Sequence, residues 1–176
     1  MEFELLTAKF TEQFLGVTRD PLSKRFITGF DTDEEEIVKQ INGLNNYPEN
    51  GLTYAILDGE VFIGFIAQKK SADLYGKLMC GISEWEEISR EQKRREGPLT
   101  IDIAIHPLHR GKGNAQTALK TFLKKINDEK FSEVVHFEVS SENAGSLKLM
   151  DSIGAEYVLS WTLYDTEEIK VFEYRF

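Results

Sequence analysis

Cysteine is nearly absent: Cys80 is the only one in 176 residues, so no intrachain disulfide can form and a zinc site of several thiolates is excluded. Proline is also scarce, at four residues, and no stretch is rich enough in Pro, Gly or Ser to act as a linker. No apolar run approaches membrane-spanning length, and no basic region followed by an apolar segment opens the chain; a protein without membrane contact, in the cytoplasm, is the expectation. Positive charge is in deficit: 21 Lys and Arg against 30 Asp and Glu give a net charge of −9. That balance argues against a nucleic-acid binder, whose affinity depends on neutralising phosphates with Lys and Arg. The three histidines are spread as two flanking a turn and one inside a strand, so no metal set is expected. What remains is a chain with 41% apolar residues and 12 Phe, enough for one packed domain spanning residues 1–176.

The pattern along the chain alternates. Residues 2–6 read as a strand and Thr7 to Leu15 as a short helix. The run Asp31 to Glu36 precedes Ile37, Ile41 and Leu44, a helix start whose acids lie at the positive end of the dipole. Leu52–Leu57 and Val61–Ala67 flank Asp58-Gly59, a hairpin signal. Residues 68–98 carry two weaker helical patterns, around Ala72–Met79 and Ser83–Arg95, and end at Gly97-Pro98. The segment is long for a connection, and reads either as a lid over a site or as a solvated excursion. Beyond it come a strand (Leu99–Ile105), a helix (Gly111–Asn127), a strand (Val134–Val139), a helix (Ala144–Ile153) closed by Gly154, and a strand pair (Tyr157–Tyr164, Ile169–Phe176). Alternating elements of this kind predict a layered α/β domain.

The segment Ile105-His106-Pro107-Leu108-His109-Arg110-Gly111-Lys112-Gly113-Asn114-Ala115 carries the chemistry. Pro107 ends strand pairing, and two glycines let the backbone approach a ligand without a Cβ in the way. Successive N–H groups entering a helix form a concave anion site, with Arg110 and Lys112 adding positive charge at its mouth. Residues 106–130 hold six Lys or Arg against two acids, inside an acidic chain. A phosphate-rich ligand follows. The spacing is neither the longer glycine loop ending in Lys-Ser/Thr nor the three-glycine dinucleotide fingerprint.

Arg110-x-x-Gly113-x-Ala115 resembles the Arg/Gln-x-x-Gly-x-Gly/Ala pattern of the GNAT N-acetyltransferase superfamily. A second stretch agrees: Glu138-Val139-Ser140-Ser141-Glu142-Asn143-Ala144-Gly145-Ser146, continuing to Gly154-Ala155, is similar to the strand, Asn and helix that follow in that superfamily. The N-terminal Asp20-Pro21, Arg25-Phe26, Gly29 and Glu34–Ile37 look like the branch of ribosomal-protein alanine acetyltransferases. The resemblance implies a mixed, mostly antiparallel sheet with helices on both faces, and a strand at Leu99–Ile105 splayed from its neighbour. It implies acetyl-coenzyme A as co-substrate. Ile103 and Ile105 would pair with the pantetheine arm, Arg110, Gly111, Lys112, Gly113, Asn114 and Ala115 would hold the pyrophosphate, and Asn143 and Ser146 would lie along the pantetheine. Asn143 also reads as a helix cap.

The implied reaction is attack of an amine on a thioester, with a small amine or a peptide N-terminus as acceptor. An amine with a pKa of about 10 is mostly protonated at neutral pH, so a base must take its proton. Asp102, the single charge in an apolar strand, is the leading candidate, and a carboxylate paired with a nearby Lys or Arg is the other reading of it. Glu138 is the second candidate. Many superfamily members place a Tyr seven positions after the Asn to protonate the leaving thiolate; here that position is Met150, whose thioether donates no proton. Tyr157 is another hydroxyl that could act. The substitution keeps open a second reading, a non-catalytic acyl-coenzyme A sensor. Closing strands in this fold class often pair between subunits, so a homodimer is an expectation as well.

Overall fold

The computed structural model describes residues 1–27, 33–45, 51–70, 98–163 and 166–176. Its strands are β1 (Glu2–Leu5), β2 (Gly51–Asp58), β3 (Val61–Lys70), β4 (Leu99–Ile105), β5 (Val134–Ser140), β6 (Glu156–Leu163) and β7 (Glu167–Arg175). They form one sheet in the order β1-β2-β3-β4-β5-β7-β6, antiparallel throughout except between β4 and β5. Its helices are α1 (Thr11–Thr18), α2 (Pro21–Phe26), α3 (Glu34–Leu44), α4 (Asn114–Asp128) and α5 (Ala144–Ile153).

Local chemistry explains most boundaries. Asp33 caps α3 by accepting from the N–H groups of Glu35 and Glu36, so Asp33–Glu36 is a helix start, as its placement before Ile37 and Ile41 predicts. Asp20 caps α2 in the same way, accepting from the Ser23 N–H at 2.9 Å, with Pro21 at the first helical position. Gly59 turns the β2–β3 hairpin with φ +60°, and Gly154 ends α5 with φ +77°. Gly64 answers a packing demand instead: a Cβ there would lie 2.2 Å from the Ala104 carbonyl oxygen on β4. Three expectations shift. The helix expected over Thr7 to Leu15 divides into a 3-10 turn, Ala8–Phe10, and α1, which runs on to Thr18. β3 runs on to Lys70, past Ala67, because Gln68, Lys69 and Lys70 keep pairing with Ile101, Thr100 and Leu99. Helix α4 starts at Asn114, not Gly111, because Gly111 and Gly113 both hold positive φ, which a right-handed helix does not admit. The helical patterns expected at Ala72–Met79 and Ser83–Arg95 lie outside the described residues.

The sheet is covered on both faces, which gives two cores. Helices α4 and α5 bury Leu119, Phe122, Ile126, Met150 and Ile153 against Ile66, Ile101, Phe137 and Phe172. On the other face, Phe14, Val17, Ile37 and Ile41 of α1 and α3 pack on Ala55, Phe62, Phe65 and Ala104. The apolar spacing read for α4 (Ala118, Leu119, Phe122, Leu123, Ile126) is its buried stripe. The aromatic rings of Tyr54, Phe62 and Phe65 belong to these cores: Tyr54 packs edge-on against Phe122, Phe62 against Phe10 and Phe65 against Phe14.

Candidate active site

The site begins with a place where the sheet fails to close. β4 pairs with β3 over seven positions, and β5 pairs with β7 over seven, so both strands are well formed. Between β4 and β5, however, Thr100↔His136 is the one bridge among the described residues. The strands are parallel, so their open ends are the C-terminal ones, at Ile105 and Ser140. His106 donates its N–H to the Ile63 carbonyl of β3 at 2.9 Å. Alternation then turns the peptide groups of Ala104 and Asp102 toward β3, and those of Ile105 and Ile103 toward β5. The backbone of Ile103 and Ile105 faces the cleft, as expected of a splayed strand. One group is already engaged: the Ile105 carbonyl accepts from Arg110 Nε at 2.9 Å.

At the mouth of the cleft the chain turns through a short 3-10 segment, Pro107–His109, into Arg110-Gly111-Lys112-Gly113 and then α4. Gly111 (φ +72°) and Gly113 (φ +78°) are exposed, and a Cβ on either would meet nothing within 4 Å. Backbone conformation, not crowding, therefore requires glycine here, and it leaves an open concavity in front of the turn. Among the described residues no N–H from Gly111 to Ala115 donates to a protein acceptor. Asn114 has its side chain tied inward, Nδ2 to the His109 carbonyl at 2.9 Å, and Lys112 Nζ folds onto the Leu108 carbonyl at 3.0 Å. A diphosphate group fits this turn: unfilled donors, the dipole of a 15-residue helix behind them, and no side chain in front.

Arg110 differs from the expectation of a cation offered to the ligand. Its guanidinium donates to Asp20 Oδ2 (2.7 Å), Ser23 Oγ (2.6 Å) and the Ile105 carbonyl, so it acts as a strut between α2, β4 and the turn. Burial alone would push the Asp20 carboxyl up, but the Arg110 hydrogen bond and charge and the Ser23 N–H outweigh it and hold the pKa below its ordinary value. His106 packs against α1, where any Cβ on Gly16 would lie 2.4 Å from its Nε2. Burial, then the neighbouring His109 and Arg110 charges, push its imidazole below the ordinary value.

The two carboxylates named from sequence hold corresponding positions on the two parting strands. With Thr100 opposite His136 in parallel register, Asp102 and Glu138 sit across the opening from one another on the same face. Asp102 Oδ2 is bound to Lys69 Nζ at 2.5 Å, on the neighbouring β3, so the paired-carboxylate reading of Asp102 holds. Burial works against the Lys69 ammonium, yet the Asp102 charge and hydrogen bond, with Glu138 behind them, raise its pKa above the ordinary value. Lys69 is a cation beside the candidate bases, on the β3 side of Asp102. It escaped sequence reading because it lay in the segment read either as a lid or as a solvated excursion; the alternation Phe65-Ala67-Lys69, continued past Ala67, was the available signal.

One turn of strand deeper, His136 is buried rather than at the surface. Its Nε2 lies 3.2 Å from Glu173 Oε2, and Glu173 Oε1 takes the Arg175 Nε at 2.6 Å. Burial lowers the His136 pKa against the pull of Glu173. On the other lip, Asn143 caps α5, its Oδ1 accepting from the Ser146 N–H at 3.1 Å. Met150 is 2% exposed in the core beneath α5, so that position is a packing site here. Tyr157 stacks edge-on with Phe172, on the α4–α5 side of the sheet, opposite the face that carries Asp102. Trp161 pairs with Ile169, itself opposite Ser140, and so shares the Asp102 face. Cys80 lies outside the described residues. Among the described residues no group of three or more His, Cys, Asp or Glu side chains could hold a metal ion, and no helix is long and apolar enough to cross a membrane.

A family model for the acetyltransferase (GNAT) domain matches residues 3–156. A search of curated protein sequences finds no significant match. Among solved structures, the chain is similar to a GNAT-family acetyltransferase from Bacillus anthracis (TM-score 0.72, 16% identity, covering 98% of this chain and 93% of that one). It is similar as well to an acetyltransferase from Salmonella typhimurium that modifies the N-terminal serine of ribosomal protein L7/L12 (0.74, 8%, 99% and 94%). A third is aminoglycoside acetyltransferase AAC(6')-Ib in complex with coenzyme A (0.71, 13%, 98% and 93%). At these identities the likeness is one of fold.

Proposed function

This chain belongs to the GNAT acetyltransferase family and is an N-acetyltransferase using acetyl-coenzyme A; from that premise we propose how its residues divide the work. The observation that carries the proposal is the β4–β5 cleft, bridged only at Thr100↔His136 and opening onto a turn of outward N–H groups. When bound, acetyl-coenzyme A supplies a thioester carbonyl open to attack by a neutral amine. Ile103 offers its N–H and carbonyl to the pantetheine, and Ile105 its N–H alone. The N–H groups of Gly111, Lys112, Gly113, Asn114 and Ala115 hold the diphosphate, and the exposed Lys112 ammonium adds charge beside them. Asn143 turns its Nδ2 to the pantetheine while its Oδ1 keeps the helix cap, with the Ser146 hydroxyl one turn on.

The acceptor is an amine of a small molecule or a peptide N-terminus, entering on the face that carries Asp102, Glu138 and Trp161. Its ammonium proton passes to the Asp102–Glu138 pair, directly or through water. Lys69 positions Asp102 through their ion pair. Calorimetric titration with coenzyme A tests the binding half: absence of heat at high micromolar concentration refutes it. An amine screen monitoring thiol release tests the transfer half, and binding without turnover on any amine would favour the sensor instead.

A further inference from the structure

The two lips of the cleft are the turn after β4 (106–113) and the turn after β5 (141–143), and α2 touches both. On the β4 side, Asp20 and Ser23 take the Arg110 guanidinium at 2.7 and 2.6 Å. On the β5 side, Arg25 in the last turn of α2 is ion-paired with Glu142, next to Asn143. Residues 20 to 25 therefore bridge the open end of the splay. Nothing in the sequence spacing announces this, since Arg25 and Glu142 are 117 positions apart.

The two attachments are unequal. Arg110 and Asp20 are 29% and 18% exposed and share further hydrogen bonds, whereas Arg25 and Glu142 are 59% and 62% exposed. An exposed pair is weak and screened by salt, so it opens first, while the shielded pair holds. A six-residue helix also has too few internal hydrogen bonds to hold its own position, and depends on its tethers.

We propose that α2 is a strap across the mouth of the β4–β5 cleft, anchored by Arg110 on Asp20, with Arg25–Glu142 as the latch that slows departure of bound coenzyme A. The proposal rests on the reading that this cleft holds the coenzyme. Arg25 and Glu142 are positioning residues in it: they hold the strap, and the coenzyme is held beneath.

Stopped-flow displacement of a fluorescent coenzyme A derivative measures the dissociation rate directly, in wild type, Arg25→Glu, Glu142→Arg and the double exchange. Each single reversal should raise the rate about two- to fivefold, the range an exposed pair can command. The double exchange should return it to near the wild-type value. At about 1 M salt the four proteins should converge, because the Debye length shrinks to about 3 Å. Thermal melts run in parallel should differ by no more than about 2 °C, so that a general loosening of the fold is recognised. Single reversals with unchanged dissociation rates, or a double exchange that fails to restore them, overturn the latch while leaving the cleft reading intact. A wild-type protein that does not bind the probe overturns the cleft reading and the latch with it.

Discussion

Replacing Arg110 with Met keeps the aliphatic stem and removes the guanidinium, which makes the strut the only thing lost. Three hydrogen bonds go: to Asp20 Oδ2 at 2.7 Å, Ser23 Oγ at 2.6 Å and the Ile105 carbonyl at 2.9 Å. Asp20 keeps its bond from the Ser23 N–H, so its carboxylate is not stranded. A hydrogen bond to a charged group contributes about 1.5–3 kcal/mol, and the pair's exposures of 29% and 18% put it at about 2. Adding about 1 kcal/mol for the other two contacts gives a loss of about 3 kcal/mol at neutral pH. For a chain of this length that lowers the melting temperature by about 6–12 °C. The pH dependence supplies the sharper test. Asp20 has a native pKa below its ordinary 3.8, so its contribution is present above that value and lost as the pH falls through the native one. Urea titrations from neutrality to about pH 2 should therefore show the gap between wild type and Arg110→Met narrowing once the pH falls below the ordinary 3.8. A gap that stays constant with pH, or one below about 0.5 kcal/mol throughout, refutes the reasoning.

Three further outcomes follow from the same geometry. Asp102→Asn should lower turnover about 100-fold while leaving coenzyme A affinity within about twofold, read from initial rates beside calorimetry; an unchanged rate removes Asp102 from the mechanism. Gly113→Ala forces a Cβ into φ +78°, and should cost about 1–2 kcal/mol in urea denaturation and weaken coenzyme A binding; full retention of both contradicts the turn assignment. His136, with its pKa lowered by burial against the pull of Glu173, is charged more readily when unfolded. Its contribution is complete above the ordinary 6.5 and lost as the pH falls below it, so His136→Gln should flatten the stability profile between about pH 6.5 and 5. An unaltered profile would mean that the imidazole does not titrate differently on folding.

The candidate site was only partly legible. Gly111, Gly113 and the strand before them announce a phosphate turn because positive φ and strand ends are short-range properties, written in neighbouring residues. Arg110 was recognisable as part of a motif and as positive charge at the mouth of the turn, but its partners Asp20 and Ser23, 90 and 87 positions away, were not. No helix is expected at Pro21–Phe26 from the sequence, and no local signal shows that its cap Asp20 also receives a guanidinium. Asp102 was ambiguous for a related reason: whether a strand carboxylate is a base or half of an ion pair depends on which residue the next strand sets beside it, and Lys69 arrived there by register.

By itself the sequence determined the helix caps, the hairpin turn, the buried stripe of α4, the glycine turn and the family to which the chain belongs. All of these depend on residues within a few positions of each other, where sterics and hydrogen bonding act directly. The tertiary structure alone decided that β4 and β5 part after one bridge, that Asp102 and Glu138 face each other across the gap, and that α2 spans its mouth. Strand order and register bring together groups whose separation along the chain carries no distance information, and a missing strand pairing leaves no mark on either strand's composition. The physics of pairing is local in space, and only folding makes it so.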